Sequence, residues 1–494
     1  MSQDLLIKGF MVLIMSLVFA GTIFFRYDDE SRMKSSAGNQ QKYLPYISGN
    51  LLLSCILTVA IFGVFMFGVQ ETTKLIISVC FGVFVHTSLY YIALIVTIPL
   101  FRKYMSARTC AILWMLPNYL YITLYSGMEV NAPLVVFHAS QNVVRLIFCI
   151  WLTGFLAVLL GNIVSHLVFR SNILKNAKDV TNIEILEIWN EKLETANMRY
   201  KKYRLIVSPN AKTPLSVGLF RRKTCVVLPD KEYSLEELRL IFQHEIVHIG
   251  REDSWSKFFL LFCTAMCWFN PLMWIAMRKS ADDLELSCDE TVLLDVDDED
   301  RRRYAELILS TAGDERGFTT CLSASASAMR YRLKNIIKTK TRRSGILVVG
   351  VIFFILVMSY GYVALAYGES STKELIQYWG EAEKFQVEQM YLSTPGQENT
   401  IRLECEDKEA FYRYMDDLMA ENLTGKYSFS DDRKMLSFIC NTSKVRMYIQ
   451  LSDDIIRILP TDGTKRAEWH SYYLPEGVDW LYLESILIPI TTSY

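Results

Sequence analysis

Six apolar runs separated by charged loops restrict this chain more than anything else in it. They are Leu5–Phe25, Leu51–Val69, Leu75–Phe101, a weaker Ala111–Gly127 shortened by Pro117 and Asn118, Leu146–Phe169 and Gly345–Tyr367. A helix needs about 20 apolar residues to cross the hydrocarbon of a bilayer, so the runs predict a polytopic α-helical membrane protein. No small-residue cleavage site follows Leu5–Phe25, which reads as an uncleaved membrane helix and not as a signal peptide. A formal net charge of −1 gives no electrostatic case for direct contact with nucleic acid. The 11 cysteines show no C-x-x-C spacing, which argues against a zinc ribbon or a disulfide scaffold. Cys55, Cys80, Cys149 and Cys263 sit in apolar runs and read as small buried hydrophobes.

Two basic stretches orient the chain. Arg102, Lys103 and Arg108 form one, and Arg330, Arg332, Lys334, Lys338, Lys340, Arg342 and Arg343 precede the last run. The positive-inside rule puts both in the cytoplasm. With six spans, the N-terminus is outside, residues 170–344 are inside and residues 368–494 are outside. The expected divisions are a two-span N-terminal extension (1–70), further transmembrane helices (71–169), a cytoplasmic domain (170–344), a last span (345–367) and an extracytoplasmic domain (368–494).

The cytoplasmic segment carries the chemistry. Ile183–Tyr203 reads as a charged amphipathic helix, and Leu205–Val207 and Cys225–Leu228 read as short strands around Pro214–Gly218. Gln243-His244-Glu245-Ile246-Val247-His248 is an H-E-x-x-H motif. On a helix, His244 and His248 share a face and can reach one metal ion, with Glu245 beside them as general base. Ser234 is a natural N-cap, and Glu237 three residues later completes a capping box. Phe258–Met277 is another apolar run, broken by Asn270-Pro271, and reads as a helix break packed against the membrane or inside the domain.

A zinc site needs more than two ligands. The only histidine downstream is His470, beyond another apolar run, so the third ligand is expected to be a carboxylate or a cysteine. Within Asp282-Asp283-Leu284-Glu285-Leu286-Ser287-Cys288-Asp289-Glu290, Glu285 and Asp289 share a helical face. Glu285 can supply the missing oxygen. Asp289 can hydrogen-bond a ligating imidazole and fix its orientation.

These residues resemble the signal-transducing membrane zinc peptidases of the beta-lactam and methicillin receptor (BlaR/MecR) type. The likeness runs through Ser208-Pro209, Thr213–Leu219, Val226–Pro229, His244–His248, Arg251-Glu252-Asp253, Trp268–Leu272 with Trp274, and Glu285–Glu290. Ser106-Ala107-Arg108 and Leu113-Trp114 extend it upstream. The resemblance implies a mainly α, zincin-like cytoplasmic peptidase domain in which His244, His248 and Glu285 bind zinc and Glu245 is the general base. Asp253 and Asp289 match acidic positions behind those ligands. It also implies a receptor that senses an extracellular ligand, cleaves itself or a cytoplasmic transcriptional repressor, and is a homodimer by analogy. Self-cleavage is expected in Gly313–Ala328, a stretch rich in Ser, Thr and Ala. The first 70 residues lie outside the family's usual pattern.

Residues 368–494 read as a small α+β domain. Strands are expected at Phe385–Leu392, Thr400–Cys405, Met435–Cys440, Val445–Leu451 and Ile455–Leu459, with a helix at Glu409–Met419. The segment is about half the size of a penicillin-binding sensor. Ser370-Ser371-Thr372-Lys373 satisfies S-x-x-K, but it abuts the membrane and no K-T-G follows, so a catalytic Ser370 is not expected. Cys405 and Cys440 face an oxidising compartment, where either a disulfide or two buried thiols fits. Trp379, Tyr412, Trp469 and Tyr472 fit core packing better than a ligand pocket. A quality-control membrane peptidase and a receptor with a silent zinc site are the rival functions.

Overall fold

The computed structural model describes residues 3–489 except 37–48, 124–132, 199–202, 221–222, 295, 312–325, 338–342, 382, 396–399, 406, 425–426, 428, 430–432 and 462–468. The expected cleavage stretch therefore lies outside the described residues up to 325.

Helices α1 (Gln3–Ser36), α2 (Gly49–Tyr104), α3 (Ala107–Met115) and α4 (Gln141–Leu174) begin the chain. α2 is two helices joined at Gly68, whose φ of 76° a residue with a Cβ adopts only at a cost. Three stretches are long and apolar enough to cross a membrane: Lys8–Phe25, Thr72–Tyr104 and Gln141–Leu174; Gly49–Phe65 is a shorter apolar helix. Their outward faces are apolar. On α4, Leu146, Ile147, Ile150, Leu160, Val164 and Leu167 are all more than half exposed, a surface that lipid satisfies and water does not.

The weak run at 111–127 is no straight helix. α3 ends at Met115, Pro117 opens a 3₁₀ turn at Leu116–Tyr119, and Leu120–Thr123 is a short helix. Every residue of α3 is buried. The 34 residues of α4 extend about 50 Å, longer than the hydrocarbon of a bilayer at about 30 Å. Its last turn joins the next domain. The Ser208 hydroxyl donates to Ile173 O (2.6 Å) and the Asn210 amide to Asn172 O and Lys175 O (2.9 and 3.0 Å), satisfying carbonyls that end the helix.

The following domain has a small sheet in the order β2 (Lys178–Asp179), β3 (Arg204–Ser208), β5 (Cys225–Pro229), β4 (Leu215–Val217), with β3 and β5 parallel. Around it lie α5 (Ile183–Thr195), α6 (Leu235–Arg251), α7 (Asp253–Met266), α8 (Pro271–Val292), α9 (Asp298–Thr311) and α10 (Ala326–Ile337). α7 and α8 account for the apolar run 258–277. α7 ends before Asn270, whose side chain caps α8 with Pro271 at its first position. Phe259, Phe262, Cys263, Met266 and Met273 join the core that the membrane helices build. The hairpin packs among apolar helices, and neither of its helices is among the stretches long and apolar enough to cross a membrane.

The last apolar run differs from expectation. α11 (Ile346–Met358) is 13 residues long and stops well before Tyr367. Gly361, at φ 98°, turns the chain, and Val363–Ser371 becomes strand β6. The residues from Val363 to Tyr367 are apolar, but they serve a sheet.

That sheet has ten strands in the order β1-β6-β9-β13-β12-β11-β10-β7-β8-β14. Its C-terminal strands are β7 (Gln386–Ser393), β8 (Ile401–Cys405), β9 (Met419–Leu423), β10 (Met435–Asn441), β11 (Arg446–Ser452), β12 (Ile455–Pro460), β13 (His470–Tyr473) and β14 (Leu487–Pro489). The five expected strands are present to within a residue or two. Helices α12 (Thr372–Gly380), α13 (Lys408–Asp417) and α14 (Trp480–Ile486) pack on it. The edge strand β1 (Val135–Ala139) comes from the loop before α4 and pairs in parallel with β6, Val135 opposite Val363 through Ala139 opposite Tyr367.

Ser371 caps α12, and Lys373 pairs with Asp416 at 2.8 Å, so the S-x-x-K tetrapeptide has structural partners. Cys405 and Cys440 are free thiols. Trp379 donates to the Tyr472 hydroxyl at 2.6 Å inside the core, and Arg457 lies over the Trp469 ring. Tyr412 lines a cavity of about 120 Å³ between β7, β8 and α13.

Candidate metal centre

α6 starts with the expected capping box: Ser234 Oγ accepts from Glu237 N (3.2 Å) and Glu237 Oε2 accepts from Ser234 N (2.8 Å). Leu238, Ile241, Phe242 and Val247 bury one face against α5, where Trp189 meets Phe242 edge-on at 5.2 Å. The remaining face, with His244 and His248, looks toward α8. The two Nε2 atoms are 3.1 Å apart.

α8 brings its acidic turn to the same place. Glu285 Oε2 lies 3.5 Å from His248 Nε2 and 3.7 Å from His244 Nε2, while its Oε1 accepts from Lys257 Nζ at 3.0 Å. One turn along, Cys288 Sγ is 3.4 Å from His244 Nδ1. One ligand atom from each of His244, His248 and Cys288 lies within 4.8 Å of the others.

The far nitrogens fix both rings. Asp253 Oδ2 accepts from His248 Nδ1 at 2.6 Å. Asp253 can turn back because Glu252, between α6 and α7, takes a left-handed φ of 56°. At His244 the expected arrangement is corrected. Asp289 is 3.8 Å from Nδ1, beyond hydrogen-bond reach, and the Tyr304 hydroxyl stands between them. It donates to Asp289 Oδ1 and accepts from His244 Nδ1, both at 2.8 Å. Arg332 in turn grips Asp289 with Nε to Oδ2 at 2.8 Å and Nη2 to Oδ1 at 2.9 Å.

Those partners decide the tautomers. Each Nδ1 carries the proton, so in each neutral imidazole Nε2 keeps its lone pair. Two lone pairs and a carboxylate oxygen then converge within 3.7 Å, an arrangement that repels itself unless a cation is shared. Glu245 is 3% exposed, and its Oε2 has no hydrogen-bond partner among the described residues.

The local electrostatics agree. Burial opposes a charged His244, but Cys288 and Glu285 push its imidazole up to about 10. His248 is raised for similar reasons. Burial also opposes a charged Glu285, yet Lys257 and the two imidazoles hold it well below the usual carboxylate range. The Cys288 thiol is likewise lowered against its burial, by His244 and His248. The pocket favours positive charge at its centre.

Of the residues expected from sequence, His244, Glu245, His248, Asp253, Glu285 and Asp289 all meet here. Cysteine was open as a donor type, and Cys288 is the one present. Lys257, Tyr304 and Arg332 were not anticipated. Arg332 belongs to the basic stretch ahead of the last apolar run, where its charge alone gives no sign of a buried carboxylate partner.

Comparison with known proteins places this centre in context. The family profile described as BlaR1 peptidase M56 matches residues 125–336. The chain is 29% identical over 196 residues to Regulatory protein BlaR1 of Bacillus licheniformis, covering 39% of this chain and 32% of that protein. It is 29% identical over 180 residues to the Methicillin resistance mecR1 proteins of Staphylococcus aureus and Staphylococcus epidermidis, covering 34% of this chain and 29% of each. The match thus spans about a third of the length of these relatives.

Proposed function

The chain belongs, through its M56 peptidase domain, to the BlaR/MecR-type family, and we propose that it is a membrane-embedded zinc endopeptidase acting as a signal-transducing receptor. The observation that carries this is the convergence of His244 Nε2, His248 Nε2 and Glu285 Oε2 beside the buried Glu245, whose Oε2 has no hydrogen-bond partner among the described residues. Nitrogen and oxygen donors in that number suit zinc.

His244, His248 and Glu285 would hold the ion. Bound there, zinc supplies a Lewis acid that polarises a carbonyl and makes water more acidic. The chain's own residues do the rest. Glu245 accepts the proton of the attacking water at Oε2 and returns it to the leaving amine. Asp253 and Tyr304 keep both imidazoles in the tautomer that presents Nε2. Arg332 holds Asp289, and through it Tyr304, in place.

The substrate is a peptide bond of a cytoplasmic protein, a transcriptional repressor or the chain itself, with residues 170–344 inside and the C-terminal domain outside. The β1–β6 pairing supports this arrangement, since it puts the loop before α4 on the same side as the C-terminal domain. An extracellular ligand would act through that domain, and the relatives' names point to beta-lactam resistance as the setting. The test is zinc content and self-cleavage in membranes for wild type and Glu245→Gln. One zinc in both, with a fragment cut between residues 290 and 345 only in wild type, is expected. Absence of zinc from both sinks the assignment of His244, His248 and Glu285.

A further inference from the structure

Arg332 has more donors than its pairing with Asp289 uses. Nε and Nη2 make the two-point contact with that carboxylate at 2.8 and 2.9 Å, which leaves both N–H groups of Nη1 outside the pair. Nη1 lies 3.8 Å from Glu285 Oε2, the oxygen that faces the two imidazoles. That is too long for a hydrogen bond, and Nη1 gives none to a described residue. We propose that Arg332 is a catalytic residue, whose Nη1 donates to the oxygen of the scissile carbonyl as negative charge develops there. The proposal rests on the peptidase reading of His244, Glu245, His248 and Glu285.

Charge pairing alone does not account for this placement. The charge of Asp289 is met by one edge of the guanidinium, and Glu285 already has Lys257 Nζ on its Oε1 at 3.0 Å. A lysine at 332 could supply a cation to Asp289, but it has no second edge to present elsewhere. The Asp289 side chain is 1% exposed and that of Arg332 14%, so the guanidinium is the outer member of the pair. Nη1 is also absent from the sealed polar atoms that lack a partner, among which Glu245 Oε2 stands. A peptide carbonyl that approaches His244 Nε2, His248 Nε2 and Glu285 Oε2 therefore approaches an open donor as well.

That donor is held in place before any substrate arrives. Asp289 fixes the plane of the guanidinium by two bonds, and α10 is anchored on both sides of it. Ile336 is buried in the core that α5 and α6 build, and the Tyr331 ring lies 5.4 Å from the guanidinium of Arg102. A donor fixed in advance needs no reorganisation as charge appears, which is what makes such groups effective.

The step balances as follows in atoms and electrons. The water oxygen bonds to the carbonyl carbon, the π pair moves onto the carbonyl oxygen, and the water proton goes to Glu245 Oε2. Nη1 donates to the oxygen that has gained the pair. When the C–N bond breaks, that pair restores the carbonyl and the proton passes to the leaving nitrogen.

The experiment compares two ligands of the zinc-loaded full chain in detergent that share one dipeptide. N-phosphoryl-Leu-Trp imitates the developing charge with tetrahedral oxygens, whereas mercaptoacetyl-Leu-Trp offers a thiolate in their place. Affinities are read by calorimetry for wild type, Arg332→Gln and Arg332→Lys at equal zinc content. In Arg332→Gln the phosphoryl compound should weaken about 10²-fold, while the mercaptoacetyl compound barely changes. Arg332→Lys keeps a cation beside Asp289, which protects the fold, and should show the same selective loss. Parallel weakening of both compounds, or no change in either, overturns the proposal, because Arg332 then only positions Asp289 and Tyr304. Wild type that binds no zinc, or that binds zinc and neither compound, is a different failure and removes the peptidase reading itself.

Discussion

Arg102, on the last turn of a membrane helix, forms a two-point ion pair with Asp283, two residues before Glu285. Nε and Nη2 donate to the two carboxylate oxygens at 2.9 Å each. The Trp114 indole adds a bond to Oδ2 at 2.7 Å, and Ala107 N donates to Glu290 farther along α8. The helix that carries Glu285 is thus held by α2 and α3. Displacing those helices would move Glu285 directly.

The pair gives a first prediction. Asp283 is only 1% exposed, so Arg102→Gln leaves a buried charge without its partner, at a cost of about 3–5 kcal/mol. Thermal unfolding in detergent should show that loss, and Arg102→Gln/Asp283→Asn should recover part of it. An unchanged unfolding temperature in the single variant would mean the pair contributes nothing.

Tyr304→Phe removes one hydroxyl and little else. His244 loses its Nδ1 acceptor and Asp289 loses a donor. Zinc affinity should fall about 10–100-fold, measured by competition with a chelator, while the protein stays folded. Asp253→Asn should act in the same direction through His248.

Glu245→Gln tests the base. Its buried Oε2 has no hydrogen-bond partner among the described residues, so the fold should tolerate the change. Cleavage should drop about 10²–10⁴-fold with zinc content unaltered, as read by fragment yield and metal analysis on the same samples. Loss of zinc along with activity would make Glu245 a ligand and not a base.

Metal uptake should depend steeply on pH. The His244 imidazole is pushed up to about 10, so at neutral pH zinc has to displace a proton that this group holds. Apparent affinity should therefore rise as pH increases toward 10 and fall as it decreases. Titration calorimetry in buffers of different ionisation enthalpy should show protons released on binding; no release would contradict the raised imidazole.

Replacing Val135–Ala139 by a Gly/Ser linker removes the edge strand beside β6 and the His138–Glu421 contact at 2.8 Å. Hydrogen exchange at Val363–Tyr367 should accelerate, with zinc content unchanged. Identical exchange in both proteins would show that β1 adds no protection.

Local chemistry was legible and tertiary partnership was not. The Ser234–Glu237 capping box, the His244–His248 spacing and the Glu285–Asp289 spacing all lie within one helical turn, where sequence distance dictates proximity. Tyr304 and Arg332 reach the centre from other helices, and nothing in their neighbours records that Asp289 is their partner. The apolar residues Val363–Tyr367 were misread because they adjoin a hydrophobic helix and are buried alternately by a sheet; Gly361 was the available sign of a stop. β1 is five residues long and pairs with a strand distant in sequence, so its edge could not be anticipated.

That distance has a consequence for biosynthesis. A ribosome delivers Val135–Ala139 long before Val363–Ser371 exists, so β1 must wait with its hydrogen-bonding edge open while α4, the peptidase domain and α11 are made. The ten-stranded sheet cannot be finished by the C-terminal polypeptide alone. A fragment beginning at Thr372 would lack both β1 and β6 and would present β9 as a raw edge. Completion of the sheet is thereby tied to the placement of the helices that precede it, and a chain that holds β1 away from β6 builds the sheet without its outermost strand.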